Sequence, residues 1–179
     1  MDIPDGIYAT FETLKLDDVV DPEVHVILEY WQRLRGDRFA PSWPVFNWSD
    51  IPYHCIPKFT VVDVSTEPLD FTYRFWGTSL ADGQKQEMTG RSVRELKPLA
   101  EAEAIFSQYA NLHTTREPTV FQSSVSGWMA EDLVGLSLRM PFSEDGETIS
   151  QIVSYNNYEQ AYKSLKSSLE NPWNWLDPD

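Results

Sequence analysis

The chain has a single cysteine, Cys55, so no internal disulfide can form and a cysteine-based structural zinc site lacks its ligands. Basic residues are scarce: 14 Lys and Arg stand against 28 Asp and Glu, which leaves a net charge of −14. Such a field repels the phosphate backbone that dominates nucleic-acid affinity, so no DNA or RNA partner is expected. No apolar stretch approaches the ~18 residues that a membrane helix needs. The start at Met1 is acidic and lacks the basic head and apolar centre of a signal peptide. A cytoplasmic chain with no membrane partner is the expectation. Catalytic signatures are missing too: there is no GxSxG, no HExxH and no phosphate-binding glycine loop, and His25, His54 and His113 are scattered. No catalytic residue and no metal ligand is assigned, and an enzyme is the weaker reading, in the form of a small α+β isomerase or hydrolase using one Asp or Tyr.

Apolar material, by contrast, is plentiful. Hydrophobic residues make up 41% of the 179 and aromatics 13%, with seven Trp, enough for one packed domain plus extra helix. Residues 1–20 show no sustained period and read as a loosely ordered arm. From Asp21 the pattern sharpens into a helix: Asp21 suits the N-cap, Pro22 the first position, and Gly36 the stop. Val24, Ile27, Leu28, Trp31 and Leu34 form one apolar stripe along it. Prolines at 41, 44, 52 and 57 then impose an extended, aromatic-rich connector.

PKFTVVDV and FTYRFWGT read as two neighbouring antiparallel strands. Short helical pieces punctuated by Gly83 and Gly90 follow, then a longer helix over Leu99–His113 whose Leu99, Ala102, Ile105, Phe106, Tyr109 and Leu112 share a face. TVFQSSVS, LVGLSLRM and TISQIVSYNNY give three more strands, the last two a hairpin closed by SEDGE. Residues 159–170 return to helical spacing, and the chain ends in a Trp-rich acidic tail.

The segments YWQRLRGDRFAP, IPKFTVVDV, FTYRFWGT, MTGRSVREL and LSLRMPFSEDGETI, in this order and spacing, resemble a bacterial family of stand-alone PAS-like proteins. The resemblance spans about residues 28–158. It implies an α+β fold: a PAS-like five-stranded antiparallel sheet with helices on one face, plus N-terminal and C-terminal flanking helices. The domain plan is then 1–57 for arm, helix and connector, 58–158 for the PAS-like domain, and 159–179 for the C-terminal helix and tail. In that fold the longer helix crosses the concave face of the sheet, and the space between is either packed core or a ligand cavity. Strand alternation makes Tyr73, Phe75, Phe121, Ser123, Leu136, Leu138 and Tyr155 candidates for that space, facing Ile105, Phe106 and Tyr109 from the helix. Gly77 and Gly90 suit close backbone approach or positive φ.

Other residues carry two readings each. Arg74 either binds a carboxylate or phosphate ligand or, as alternation favours, points outward to an acidic neighbour. Trp31 and Arg35 form either a partner or dimer surface on the N-terminal helix or its packing anchor, while Trp173 and Trp175 dock on the domain or on a partner. No cofactor is expected. His113 is accounted for by the helix dipole rather than by haem, and Cys55 lies in the connector, away from any flavin-reactive helix. The implied function is that of a sensory or regulatory protein with no output domain of its own, binding a small molecule, a protein partner, or both. A ligand-free adaptor is the alternative.

Overall fold

A computed structural model of the chain describes residues 8–126 and 133–158. The first helix, α1 (Pro22–Arg35), forms because its start is chemically specified: the Asp21 carboxylate accepts from the Glu23 N–H at 2.8 Å and from that of Val24 at 3.4 Å, and Gly36 at φ +54° ends it. The proline connector that follows makes short 3-10 turns at Trp43–Val45, Trp48–Asp50 and Ile56–Lys58. Strands β2 (Phe59–Thr66) and β3 (Leu69–Trp76) form the expected antiparallel pair. Helix α2 (Thr78–Gln84) and a 3-10 turn at Val93–Glu95 lead into α3 (Leu99–Thr115). Ser92 and Glu95 cap that 3-10 turn reciprocally.

Three strands close the domain, β4 (Thr119–Ser126), β5 (Leu133–Phe142) and β6 (Gln151–Asn157), and the hairpin of the last two is present as read from the sequence. The sheet has six strands where five were expected. The sixth comes from the arm read as loosely ordered: β1 (Tyr8–Leu14) runs antiparallel to β4, from Tyr8 opposite Ser126 to Leu14 opposite Val120. Seven residues rich in Tyr, Thr and Phe suffice, because they cover an edge that β4 would otherwise leave bare. The strand order is β1-β4-β5-β6-β2-β3, with every neighbouring pair antiparallel.

The central strands of the sheet are buried on both faces. On one, Val62, Phe71, Tyr73, Trp76 and Ile152 pack against Ala102, Ile105, Tyr109 and Leu112 of α3 and Leu80 of α2. On the other, Phe59, Val61, Leu138, Met140 and Val153 pack against Val24, Ile27, Leu28 and Trp31 of α1. Helices α2 and α3 thus keep to one face, while α1 and the connector take the opposite one. Aromatic rings seal that second face, among them Trp43 stacked on Phe46 at 5.2 Å and Trp48 against Phe59 at 5.6 Å. The expected C-terminal helix, with Trp173 and Trp175, lies outside the described residues.

Candidate functional site

Two-sided burial decides where each candidate side chain goes. Tyr73, Ile105, Tyr109 and Phe121 are buried on the α3 face; Phe106 lies half-buried at its margin, against Phe71 at 5.2 Å, and Ser123 also faces this side. Phe75, Leu138 and Tyr155 do not join them; they face α1 instead, as does Leu136. For Phe75 the cause is a bulge. Val61 pairs with Phe75 while Val62 pairs with Tyr73, so Arg74 is an extra residue and the strand's phase reverses after it. Phe75 turns to Trp48, 5.2 Å between ring centroids, and Trp76 takes the inner place. For Leu138 and Tyr155 the alternation is regular but has the opposite phase: their neighbours Ser137, Arg139, Ser154 and Asn156 look toward α3.

That inversion builds a polar centre in the α3 face. Arg139 is 2% exposed, and no carboxylate among the described residues lies within ion-pair distance of it. Its guanidinium donates to Gln108 Oε1 at 2.9 and 2.6 Å and to Ser154 Oγ at 3.0 Å, all neutral acceptors. The rings of Tyr109 and Phe121 lie 4.4 and 5.8 Å from its carbon, a cation–π clamp. Sequence reading passed over Arg139 and Gln108. The signal was present in Leu-Ser-Leu-Arg-Met, where the polar phase belongs inside once an N-terminal helix claims the apolar phase.

Beside the guanidinium is a cavity of about 10 Å³, room for one water, bordered by Thr60, Gln84, Arg139, Asn156 and Tyr158 together with the rings of Tyr73, Trp76 and Tyr109. Two polar atoms of the bordering residues, Thr60 Oγ1 and Gln84 Oε1, are buried without a hydrogen-bond partner. The Gln84 amide donates to Glu101 Oε1 at 3.0 Å. Burial pushes the Glu101 carboxyl up to about 7, against the Gln84 hydrogen bond and the Arg139 charge, which pull it down. Tyr158 closes one end: its ring lies where a side chain on Gly135 would stand, and its hydroxyl bonds Ser137.

A second cluster lies at the start of α1. Glu23 takes hydrogen bonds from His54 at 2.8 Å, Lys58 at 3.4 Å and the Tyr155 hydroxyl. Burial opposes the ionisation of Glu23, but those donors outweigh it and hold its pKa below the ordinary value. Cys55 Sγ joins Glu23 and His54 within 4.8 Å, a spacing compatible with metal ligation. The Lys58 ammonium, however, already occupies a cation's place at the carboxylate, and burial pushes the Cys55 thiol up to about 11, so it is held protonated. The cluster joins α1 to β6 and needs no ion to do so.

Trp31 is buried against its own sheet, its indole N–H donating to the Pro141 carbonyl at 2.9 Å, with Arg35 over its ring at 5.4 Å. It is therefore the packing anchor of α1 within this chain. Arg74 points outward and pairs with Asp63 at 2.7–3.0 Å. Both glycines behave as read: Gly90 has φ +81°, and at Gly77 a Cβ would stand 2.1 Å from the Pro57 carbonyl oxygen.

An antiparallel sheet crossed by α3 between its third and fourth strands agrees with the PAS-like α+β arrangement that the sequence resemblance implies. No helix among the described residues is long and apolar enough to cross a membrane. No family model and no curated protein matches the chain. Among solved structures it is similar to an RNA-binding light-oxygen-voltage receptor, at 13% identity and a TM-score of 0.39, over 92% of this chain and 44% of the receptor, so the chain spans less than half of that protein's length.

Proposed function

We propose that this chain is a PAS-like sensory or regulatory domain whose input site is the polar centre around Arg139, between α3 and the sheet. One observation carries the reading: an arginine only 2% exposed with only neutral hydrogen-bond partners, beside a cavity bordered by Thr60 and Gln84, whose side-chain oxygens have none. Burying an unpaired charge costs several kcal/mol, and each orphaned polar atom costs about 1–3 more.

The same strands supply an output route. On β5, Arg139 faces α3 while its neighbours Leu138 and Met140 face α1; on β6, Ser154 faces Arg139 while Tyr155 bonds Glu23 in the first turn of α1. A change in what Arg139 holds therefore bears on the seating of α1 through one peptide step, and α1 is the surface from which a partner protein would read it.

Native mass spectrometry of freshly purified protein tests this. A small molecule should be retained, and its release should change hydrogen exchange in α3, β5 and α1 together. The smallness of the cavity favours a ligand-free adaptor instead; a chain that retains nothing, is unmoved by a metabolite panel, yet captures a partner through α1 would establish that reading and sink the first.

A further inference from the structure

The geometry points to a ligand class for this site: a small carboxylate that also carries a hydrogen-bond donor, a hydroxy acid in its simplest form, held by Arg139 with Thr60 and Gln84. This inference rests on the sensing reading above and adds its chemistry. Arg139 uses three of its five N–H groups on Gln108 and Ser154, so two remain for a third partner. Gln108 and Ser154 fix the guanidinium plane, and the Tyr109 and Phe121 rings hold it from its flanks. A planar fork with spare donors in a water-poor site is the arrangement that takes a carboxylate.

Charge and hydrogen-bond capacity narrow the class. A monoanion neutralises the guanidinium, which no carboxylate of the described residues does at ion-pair distance. Gln84 Oε1 is an acceptor only, so the group that meets it is a donor on the ligand. The Thr60 hydroxyl gives or accepts as required. A simple carboxylate such as acetate answers Arg139 and leaves Gln84 unmet. A zwitterionic amino acid answers Gln84 but is neutral overall, so the positive charge of Arg139 stays uncompensated. A hydroxy acid meets both demands and, with Glu101 protonated, leaves no net charge. The ligand must also be small, because the space beside Arg139 holds one water and a larger occupant has to displace the apolar side chains of Leu80 and Ile105 that border it.

Sodium glycolate, sodium acetate, glycine and ethylene glycol, compared at equal ionic strength on the full chain, test the assignment by thermal shift and by amide NMR. Glycolate should raise the melting temperature saturably, move amide signals of β5 and α3, and bind more tightly than acetate. Glycine and ethylene glycol should do neither. Arg139→Gln should weaken glycolate binding about tenfold or more. Thr60→Val keeps the side-chain shape and should fold, so it guards against a collapse of the arginine variant. It should weaken glycolate severalfold. Binding of an uncharged molecule in this cavity, or glycolate binding that survives Arg139→Gln, would overturn the carboxylate assignment and leave sensing at this site standing. No response to any of the four probes, from a protein that also retains no molecule, would overturn both.

Discussion

Glu101 offers a direct test of the polar centre, because its protonation is coupled to folding. Its carboxyl sits in α3 within hydrogen-bonding reach of Gln84, and burial pushes its pKa up to about 7 from the ordinary 4.5. Below pH 4.5 the group is protonated in both folded and unfolded chains and contributes nothing to pH dependence. Between 4.5 and 7 the unfolded chain gives up the proton and the folded one keeps it, so stability falls as pH rises. Above 7 the folded chain bears a charge its surroundings disfavour, and the penalty is complete. At about 1.4 kcal/mol per pH unit, the interval amounts to about 3 kcal/mol as an upper value.

Glu101→Gln removes the ionisation while keeping an oxygen for the Gln84 amide. The variant should match the parent near pH 4.5 and be the more stable by about 1–3 kcal/mol at pH 8, read by urea unfolding followed through Trp fluorescence. The difference between the two proteins isolates this residue from the other carboxylates. A gap that stays constant from pH 4.5 to 8, or one that favours the parent at high pH, would refute the placement of Glu101 in a desolvated site.

Further expectations rest on separate features. Gly77→Ala should cost about 3 kcal/mol, because its Cβ would press on the backbone oxygens of Pro57 and Phe59 at 2.1 and 2.7 Å, whereas Gly90→Ala, with open space but φ +81°, should cost about 1–2 kcal/mol in thermal unfolding. Trp31→Ala should destabilise by about 3–5 kcal/mol, and Trp31→Phe by about 1–2, separating the packing of the ring from its bond to Pro141; equal losses would show that the hydrogen bond is the larger part. Arg74→Ala should change stability by less than about 1 kcal/mol, and by less still in 1 M salt, since the Arg74 and Asp63 side chains are each more than a third exposed.

Much of the fold is legible in the sequence where chemistry acts locally. Asp21 and Pro22 mark the start of α1 and Gly36 its end; the strands around Val61, Tyr73, Leu138 and Val153 follow from β-branched and aromatic runs. Strand β1 escaped because its seven residues become a strand only when β4 offers an edge, a long-range partner that no local pattern announces. The bulge at Arg74 is equally silent: one extra residue leaves the alternation of FTYRFW unbroken on paper while it carries Phe75 to the other face.

The phase of β5 and β6 was the harder problem, and it decided the site. A sheet with one solvated face buries its apolar phase and shows water its polar phase, which sends Leu138 and Tyr155 inward and Arg139 outward. Here α1 and the aromatic connector need an apolar surface of their own, and they take the Leu138, Met140, Val153 and Tyr155 side. Ser137, Arg139, Ser154 and Asn156 are thereby driven under α3, where Gln108 and the Tyr109 ring receive the charge. The helix that encloses the polar centre and the helix that forces it inward lie on opposite faces of the same two strands. Seating α1 and burying Arg139 are therefore two views of one packing arrangement.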